Sequence, residues 1–289
     1  MIAQALGPEA SGHRLILFAS RERTIQLDSG ARLEVRALEE LPSLRSDVLL
    51  HFAYVTREFA TERGAPDYVV ANLAITAHVV DLIRKAPPRF LAYASSGAAR
   101  AAMDSGRLDI SGDPYGTLKV MDELALRRAM QDVGGRSLVL RVFNVSGRWL
   151  TKPGAFALSD IIQQVHAGGP VIIRARHGVV RSYVDVEDLA RVMIASALDM
   201  SGPVDEVVET AGGEEVEVGN LAERVRHALG RPEVEIVRDF DVTAAPDRYV
   251  GEPGAFLDLA SRVGVPLRDL DAQIARTAQG MGVPVANTT

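Results

Sequence analysis

An α/β fold built on a parallel sheet is expected from this sequence, with a smaller α/β domain following it, and three observations predict it. Apolar runs alternate with helical stretches up to about residue 150, the pattern of strands crossed over by helices that cover both sheet faces. One run, Phe90-Leu-Ala-Tyr-Ala-Ser95-Ser96-Gly97, is apolar throughout and then ends in two hydroxyls and a glycine, as a buried strand does where its carboxyl end opens into a site. Finally, Tyr115 and Lys119 stand four residues apart, which puts a phenol and an ammonium on one face of a helix.

In chain order, Arg14-Leu-Ile-Leu-Phe-Ala-Ser20-Arg21 reads as a strand, followed by Asp47 to Ala53 as the next. Helix Val69 to Lys85 leads to strand Phe90 to Ala94, then to a helix through Val120 to Gln131, a Gly134-Gly135 break and strand Leu138 to Phe143. Beyond Thr151 the pattern is mixed: Ala155 to Ala167, Val186 to Leu198 and Leu221 to Leu229 are helical in period, while Val171 to Ile173 and Ser182 to Val184 read as extended. Gly168-Gly-Pro170, Gly202-Pro203, Gly212-Gly213 and Gly230-Arg-Pro232 punctuate it. The expected domains are 1–150, a dinucleotide-binding unit short at its front, and 151–289, a substrate unit interleaved with the end of the sheet.

Composition narrows the function classes. A chain of 289 residues with 47% hydrophobic content can bury a sizeable core. Its net charge of −6, without a long Lys/Arg run, gives no reason to expect nucleic acid as a partner. No apolar stretch approaches the length of a membrane span and no signal-peptide pattern opens the chain, so no membrane partner and a cytoplasmic location are expected. The absence of cysteine excludes disulfides, thiolate nucleophiles and Cys-ligated zinc. The six histidines, at 13, 51, 78, 166, 177 and 227, form no spaced metal pair.

The chemistry sits around Tyr115. A cation beside a phenol favours the phenolate, so the oxygen can take a proton from a hydroxyl, or return it, near neutral pH. Ser96 supplies a hydroxyl donor on the neighbouring strand end, giving the three groups a hydride-transfer site needs. His51 reads as a core histidine at a strand end.

Several separated segments carry a family resemblance. Asp47-Val-Leu-Leu-His51-Phe-Ala-Tyr54, Asn72, Ala94-Ser-Ser96, the Tyr115/Lys119 pair, Leu140-Arg-Val-Phe-Asn144-Val-Ser-Gly147, Arg181-Ser-Tyr-Val-Asp-Val-Glu-Asp188 and Asp247-Arg248-Tyr249-Val250 occur in one order. In that order they resemble the extended short-chain dehydrogenase/reductases, the NAD-dependent epimerase/dehydratase family that acts on nucleotide-diphosphate sugars. The resemblance implies a Rossmann-like sheet, an NAD or NADP cofactor, a nucleotide-diphosphate sugar as substrate, and a homodimer. It implies catalysis by Ser96, Tyr115 and Lys119, cofactor contacts from Ser20, Arg21, Phe52, Ala53, Tyr54, Asn72, Tyr115, Lys119 and Phe143, and substrate contacts from Ser96, Asn144, Arg181 and Arg248. An Arg at the end of the strand closing at Ser20-Arg21 suits a 2′-phosphate and leans toward NADP. Ser96 is followed by Gly97-Ala98-Ala99, not by the acid pair of the 4,6-dehydratases, which leaves a sugar epimerase or a 4-ketoreductase. The alternative is a cofactor-defective member retained as a sugar-nucleotide-binding or structural protein.

The front departs from the family. The expected opening of strand, Gly-x-x-Gly-x-x-Gly turn and helix, whose backbone and dipole hold a pyrophosphate, is not found in Met1 to His13. Arg14 to Arg21 then fits the second strand of the order 3-2-1-4-5-6, and about 20 residues of the ordinary front are missing. The gap next to the strands at Arg14 to Arg21 and Asp47 to Ala53 calls for closure, a strand from another chain, rearrangement, or a first strand encoded upstream of Met1.

Overall fold

The computed structural model describes residues 13–27, 30–55, 64–148, 156–199 and 202–286. Its elements are β1 (Leu17–Ala19), β2 (Arg23–Gln26), β3 (Arg32–Ala37), β4 (Val48–His51), α1 (Ala65–Lys85), β5 (Phe90–Ser96), α2 (Gly97–Asp104), α3 (Pro114–Asp132), β6 (Arg136–Val142), β7 (Asn144–Ser146), α4 (Ala157–Ala167), β8 (Val171–Ile172), β9 (Val179–Arg181), β10 (Tyr183–Asp185), α5 (Val186–Leu198), β11 (Asp205–Glu209), β12 (Val216–Glu217), α6 (Val218–Ala228), β13 (Ile236–Val237), β14 (Asp247–Tyr249), α7 (Pro253–Arg262) and α8 (Leu270–Gly280). Two compact units result. The first runs to Arg141 and takes back Met193–Val208; the second is Val142–Val192 with the chain from Glu209 onward.

The first unit is the expected α/β layer. Its main sheet has the order β11-β6-β5-β4, with β4 parallel to β5 in the register Val48↔Phe90 to His51↔Tyr93. Six of the seven β5 residues are buried, as a strand covered on both faces requires. Helix α1 starts after Gly64 with a proline in its first turn and ends at Ala86 before Pro87-Pro88, prolines being tolerated at the first and disruptive at the second place. Its buried stripe, Tyr68, Asn72, Thr76, Val79, Leu82 and Ile83, recurs at helical spacing and carries two polar residues among the apolar ones. Helix α3 is capped by Asp113, which accepts from the Gly116 amide, and it therefore begins before Tyr115, six residues earlier than the apolar periodicity alone marks it.

The reading of Met1 to Gly12 falls outside the described residues. The second strand expected at Arg14 to Arg21 is β1, parallel to β3, and β2 joins β3 as an antiparallel hairpin that the sequence reading did not foresee. This three-stranded sheet, ordered β1-β3-β2, is separate from the main one, in which β4 stands at the end of the order. Between them lies a cavity of about 950 Å3 lined by residues of both edges, among them Leu15, Leu17, Val48 and Leu50. Among the described residues the edges of β1 and β4 do not pair with each other, so closure of those two edges is not adopted.

The second unit is a set of short sheets, β10-β7, β12-β9-β14 and β13-β8, around a core of Leu158, Ile161, Ile162, Val165, Leu221, Val225, Ile274 and their neighbours. Its helices α4, α6 and α8 supply most of that core. The helix read at Leu221 to Leu229 is α6, which begins earlier because Glu217 caps it by accepting from the Gly219 amide. Helix α5 has the limits read from the sequence. Helices α2, α7 and α8 were not foreseen.

Candidate active site

The carboxyl end of β5 turns directly into α2, and Ser96 makes the turn: its Oγ accepts from the Ala98 amide at 3.2 Å and caps the helix. This leaves the Ser96 O–H to donate. The first turn of α3 packs against that corner through Gly116, where an added Cβ would lie 2.8 Å from the Ala98 carbonyl oxygen. Glycine between Tyr115 and Thr117 is thus what lets the Tyr115 turn approach the Ser96 turn so closely.

Lys119, one helical turn on, is 4% exposed. Its ammonium donates to the Tyr93 hydroxyl at 2.9 Å and to the Ala94 carbonyl at 3.3 Å, and lies 3.8 Å from the centre of the Tyr54 ring. The Tyr54 ring in turn meets Tyr115 edge to face, with centroids 5.6 Å apart, and its hydroxyl is hydrogen-bonded with that of Tyr68. Asn72, 1% exposed, holds the segment carrying Tyr54: its Oδ1 accepts from the Val55 amide at 2.8 Å, and its Nδ2 donates to the Val55 and Tyr68 carbonyls. The structure therefore places Asn72 as the anchor of that segment.

Behind Lys119 lies a polar network that the sequence reading missed. Asp122 accepts from Thr76 Oγ1 at 2.5 Å and from Tyr93 Oη at 2.9 Å. Glu123 accepts from Ser95 at 2.5 Å and pairs with Arg141 at 2.8 Å. Two adjacent acids following Lys119 at buried positions of a helix were the available signal, and Thr76 stands one turn after Asn72 on the buried stripe of α1. His51 is 5% exposed and stacks on Tyr93 at 5.1 Å, as the core histidine expected.

Burial dominates the electrostatics. It lowers Lys119 from 10.5 to about 8, with the Asp122 and Glu123 carboxylates opposing it. It lowers His51 to about 3, aided by the Lys119 charge, so the imidazole is neutral at ordinary pH. Asp122 is pushed up by burial against the pull of its Thr76 and Tyr93 hydrogen bonds and of Lys119. Tyr54 and Tyr93 are both raised by burial, Tyr93 further by the Asp122 charge.

The cavity between the two sheets is lined in part by His51 and Tyr54, the first stacked on Tyr93 and the second over Lys119. Of the residues expected to bind cofactor, Ser20, Phe52, Ala53 and Tyr54 line it, at the carboxyl ends of β1 and β4, where open α/β sheets take ligands. Arg21 is exposed just past β1. A dinucleotide fits this arrangement in size, the cavity being within the range of cofactor sites. At the pyrophosphate, no glycine turn between a strand and a helix is seen among the described residues lining the cavity.

The remaining candidates lie in the second unit. Phe143 packs on Tyr249 with ring centroids 4.8 Å apart. Asn144 donates to the Ser182 and Tyr249 carbonyls. Arg181 pairs with Asp247 at 2.7 Å, and Arg248, half exposed, pairs with Glu215 at 2.8 Å. Arg248 is opposite Val180 and Tyr249 opposite Arg181 in the β9–β14 pair, so the two arginines point to opposite faces of that sheet.

Comparison with known proteins agrees with this fold. The chain is 23% identical over 245 residues to a probable UDP-glucuronate 4-epimerase of Rhizobium meliloti (strain 1021), covering 74% of this chain and 71% of that protein. Among solved structures it resembles the UDP-glucose 4-epimerase of Thermotoga maritima with UDP-glucose (TM-score 0.72, 16% identity, 98% of this chain and 96% of that one). It is similar as well to the UDP-glucose 4-epimerase of Brucella ovis in complex with NAD (TM-score 0.72, 20% identity, 99% and 97%). Residues 7–210 match the NAD dependent epimerase/dehydratase family, and with the Rossmann-like sheet in place, the chain belongs to that family of enzymes.

Proposed function

We propose that this chain is an NAD(P)-dependent 4-epimerase of a nucleotide-diphosphate sugar. The observation that carries the reading is the buried Lys119 ammonium one helical turn from Tyr115, on a helix whose first turn packs against the Ser96 corner. In this reading Tyr115 takes the proton of the sugar hydroxyl and returns it, Lys119 is the cation of the site, and Ser96 donates to the reacting oxygen. The bound nicotinamide would supply hydride chemistry. The relatives named above act on UDP-sugars, which supports a UDP-sugar substrate. Gly97, Ala98 and Ala99 are buried apolar residues and offer no acid pair for eliminating water, which weighs against a dehydratase.

Lys119 and Tyr115 would face the cofactor's ribose, with Phe52, Ala53 and Tyr54 along its path and Arg21 near a 2′-phosphate. Arg181, beside Tyr249 with Phe143 and Asn144, is the cation for the diphosphate in this reading, exchanging Asp247 for phosphate, whereas Arg248, on the opposite face of the β9–β14 pair, does not share that clamp. A homodimer belongs to this reading: α1 and α3 expose Val70 (65%), Leu73, Met121 and Leu124 (58%), apolar surface that a second copy would cover. The test is NMR of UDP-glucose, UDP-galactose, UDP-glucuronate and UDP-N-acetylglucosamine incubated with the chain and NAD or NADP. Appearance of a C4 epimer supports the reading, and unchanged spectra for all four with cofactor demonstrably bound count against it.

A further inference from the structure

The Lys119 ammonium is buried, yet among the described residues it makes no ion pair within 4.0 Å. Its counter-charge is reached through a hydroxyl: Lys119 donates to Tyr93 Oη at 2.9 Å, and Tyr93 donates to Asp122 Oδ2 at 2.9 Å. The other carboxylate oxygen accepts from Thr76 at 2.5 Å, so both oxygens of Asp122 are fixed, from α1 on one side and β5 on the other. The second nearby acid, Glu123, is matched by Arg141.

We propose that Asp122 is a positioning residue for the site: through the Tyr93 hydroxyl it holds the Lys119 ammonium in place and serves as its counter-charge. A buried charge is costly unless hydrogen-bonded and compensated, and the relay does both without a direct contact that would draw Lys119 away from the site. The groups facing Lys119 agree in direction. His51 on β4 is neutral, Tyr93 and Tyr54 are held as phenols, and Asp122 and Glu123 are the opposing acids, Glu123 already paired with Arg141. Loss of the Asp122 charge leaves burial less opposed, so Lys119 releases its proton at lower pH.

The consequence for catalysis rests on the reading of Tyr115 and Lys119 above, whereas the relay itself is measurable without turnover. The chain has three lysines, Lys85, Lys119 and Lys152, so 13Cε-lysine labelling gives three signals to titrate. Asp122→Asn is expected to make the Lys119 proton at least about tenfold easier to lose, roughly one pH unit. Tyr93→Phe keeps the ring against His51, removes the hydroxyl, and is expected to move Lys119 most of that way; the double variant moves it no further than Asp122→Asn. An Asp122→Asn titration unchanged from wild type overturns the proposal, and so do Tyr93→Phe and Asp122→Asn shifts that add in full, which would make the acid's effect independent of the hydroxyl. Should Asp122→Asn fail to fold, Tyr93→Phe alone decides: an unmoved Lys119 refutes the relay. In turnover, the alkaline limb of kcat should move to lower pH by the same interval. Lysine signals that move while that limb stays would refute the role given to Lys119 and leave the relay standing.

Discussion

The Lys119 ammonium lies 3.8 Å from the centre of the Tyr54 ring, so one aromatic face covers the cation that the site is built around. Such a contact is worth about 2 kcal/mol when desolvated. Tyr54→Leu is therefore expected to lower the unfolding free energy by about 1–3 kcal/mol, while Tyr54→Phe, which keeps the ring and loses only the Tyr68 hydrogen bond, costs about 1 kcal/mol or less. Urea unfolding of the two variants checks it; equal losses would mean that the ring face contributes nothing.

Stability should depend on pH through His51. Its pKa is about 3 in the folded chain against 6.5 in a free side chain, so below pH 6.5 the unfolded chain takes up a proton that the native one refuses. Stability from this group is complete above pH 6.5 and falls toward acid by up to about 1.4 kcal/mol per pH unit. His51→Phe, which can keep the stacking on Tyr93, should flatten the difference between pH 6.5 and 5 in denaturant titrations. Parallel curves for wild type and variant would contradict the buried neutral imidazole.

Much of this site was legible in the sequence because Tyr115, Lys119 and Ser96 carry their meaning in spacing and in their place at element ends. The relay behind them was not. Asp122 and Glu123 look like the exposed acids of any helix until tertiary packing buries that face, and their partners Thr76, Tyr93 and Arg141 come from three other elements. At the front, the strand at Arg14 to Arg21 was readable from its apolar run, whereas the β2–β3 hairpin depends on pairing that short, polar strands do not announce. In the second unit, α7 and α8 escaped because their buried positions are set by which face meets the core.

The close approach at Gly116 gives a steric prediction. A methyl group there would meet the capping Asp113 carboxylate first and then the Ala98 carbonyl oxygen at 2.8 Å, so Gly116→Ala must displace the Asp113 cap and push α3 away from the Ser96 turn, at about 1–3 kcal/mol of stability. Activity should fall more than stability suggests, by about tenfold or more, because a small misplacement of the acid/base is costly. A wild-type rate with intact stability would show that the Tyr115 and Ser96 turns need not pack so closely.

The cavity of about 950 Å3 between β1 and β4 invites restoration of what the family places there. A strand, glycine turn and helix joined upstream of the chain should fill it and supply backbone donors to a pyrophosphate, tightening NAD(P) binding by at least about tenfold, or about 1.4 kcal/mol. Calorimetry on both proteins decides, and equal affinities would mean that the existing residues already hold the pyrophosphate.

The central claim is that Tyr115 is the group that moves the proton, and Tyr115→Phe tests it most directly. With the UDP-sugar that the wild type epimerises and saturating cofactor, kcat should drop by at least about 100-fold while the unfolding curve and cofactor affinity stay close to wild type. A near-wild-type kcat would contradict the account.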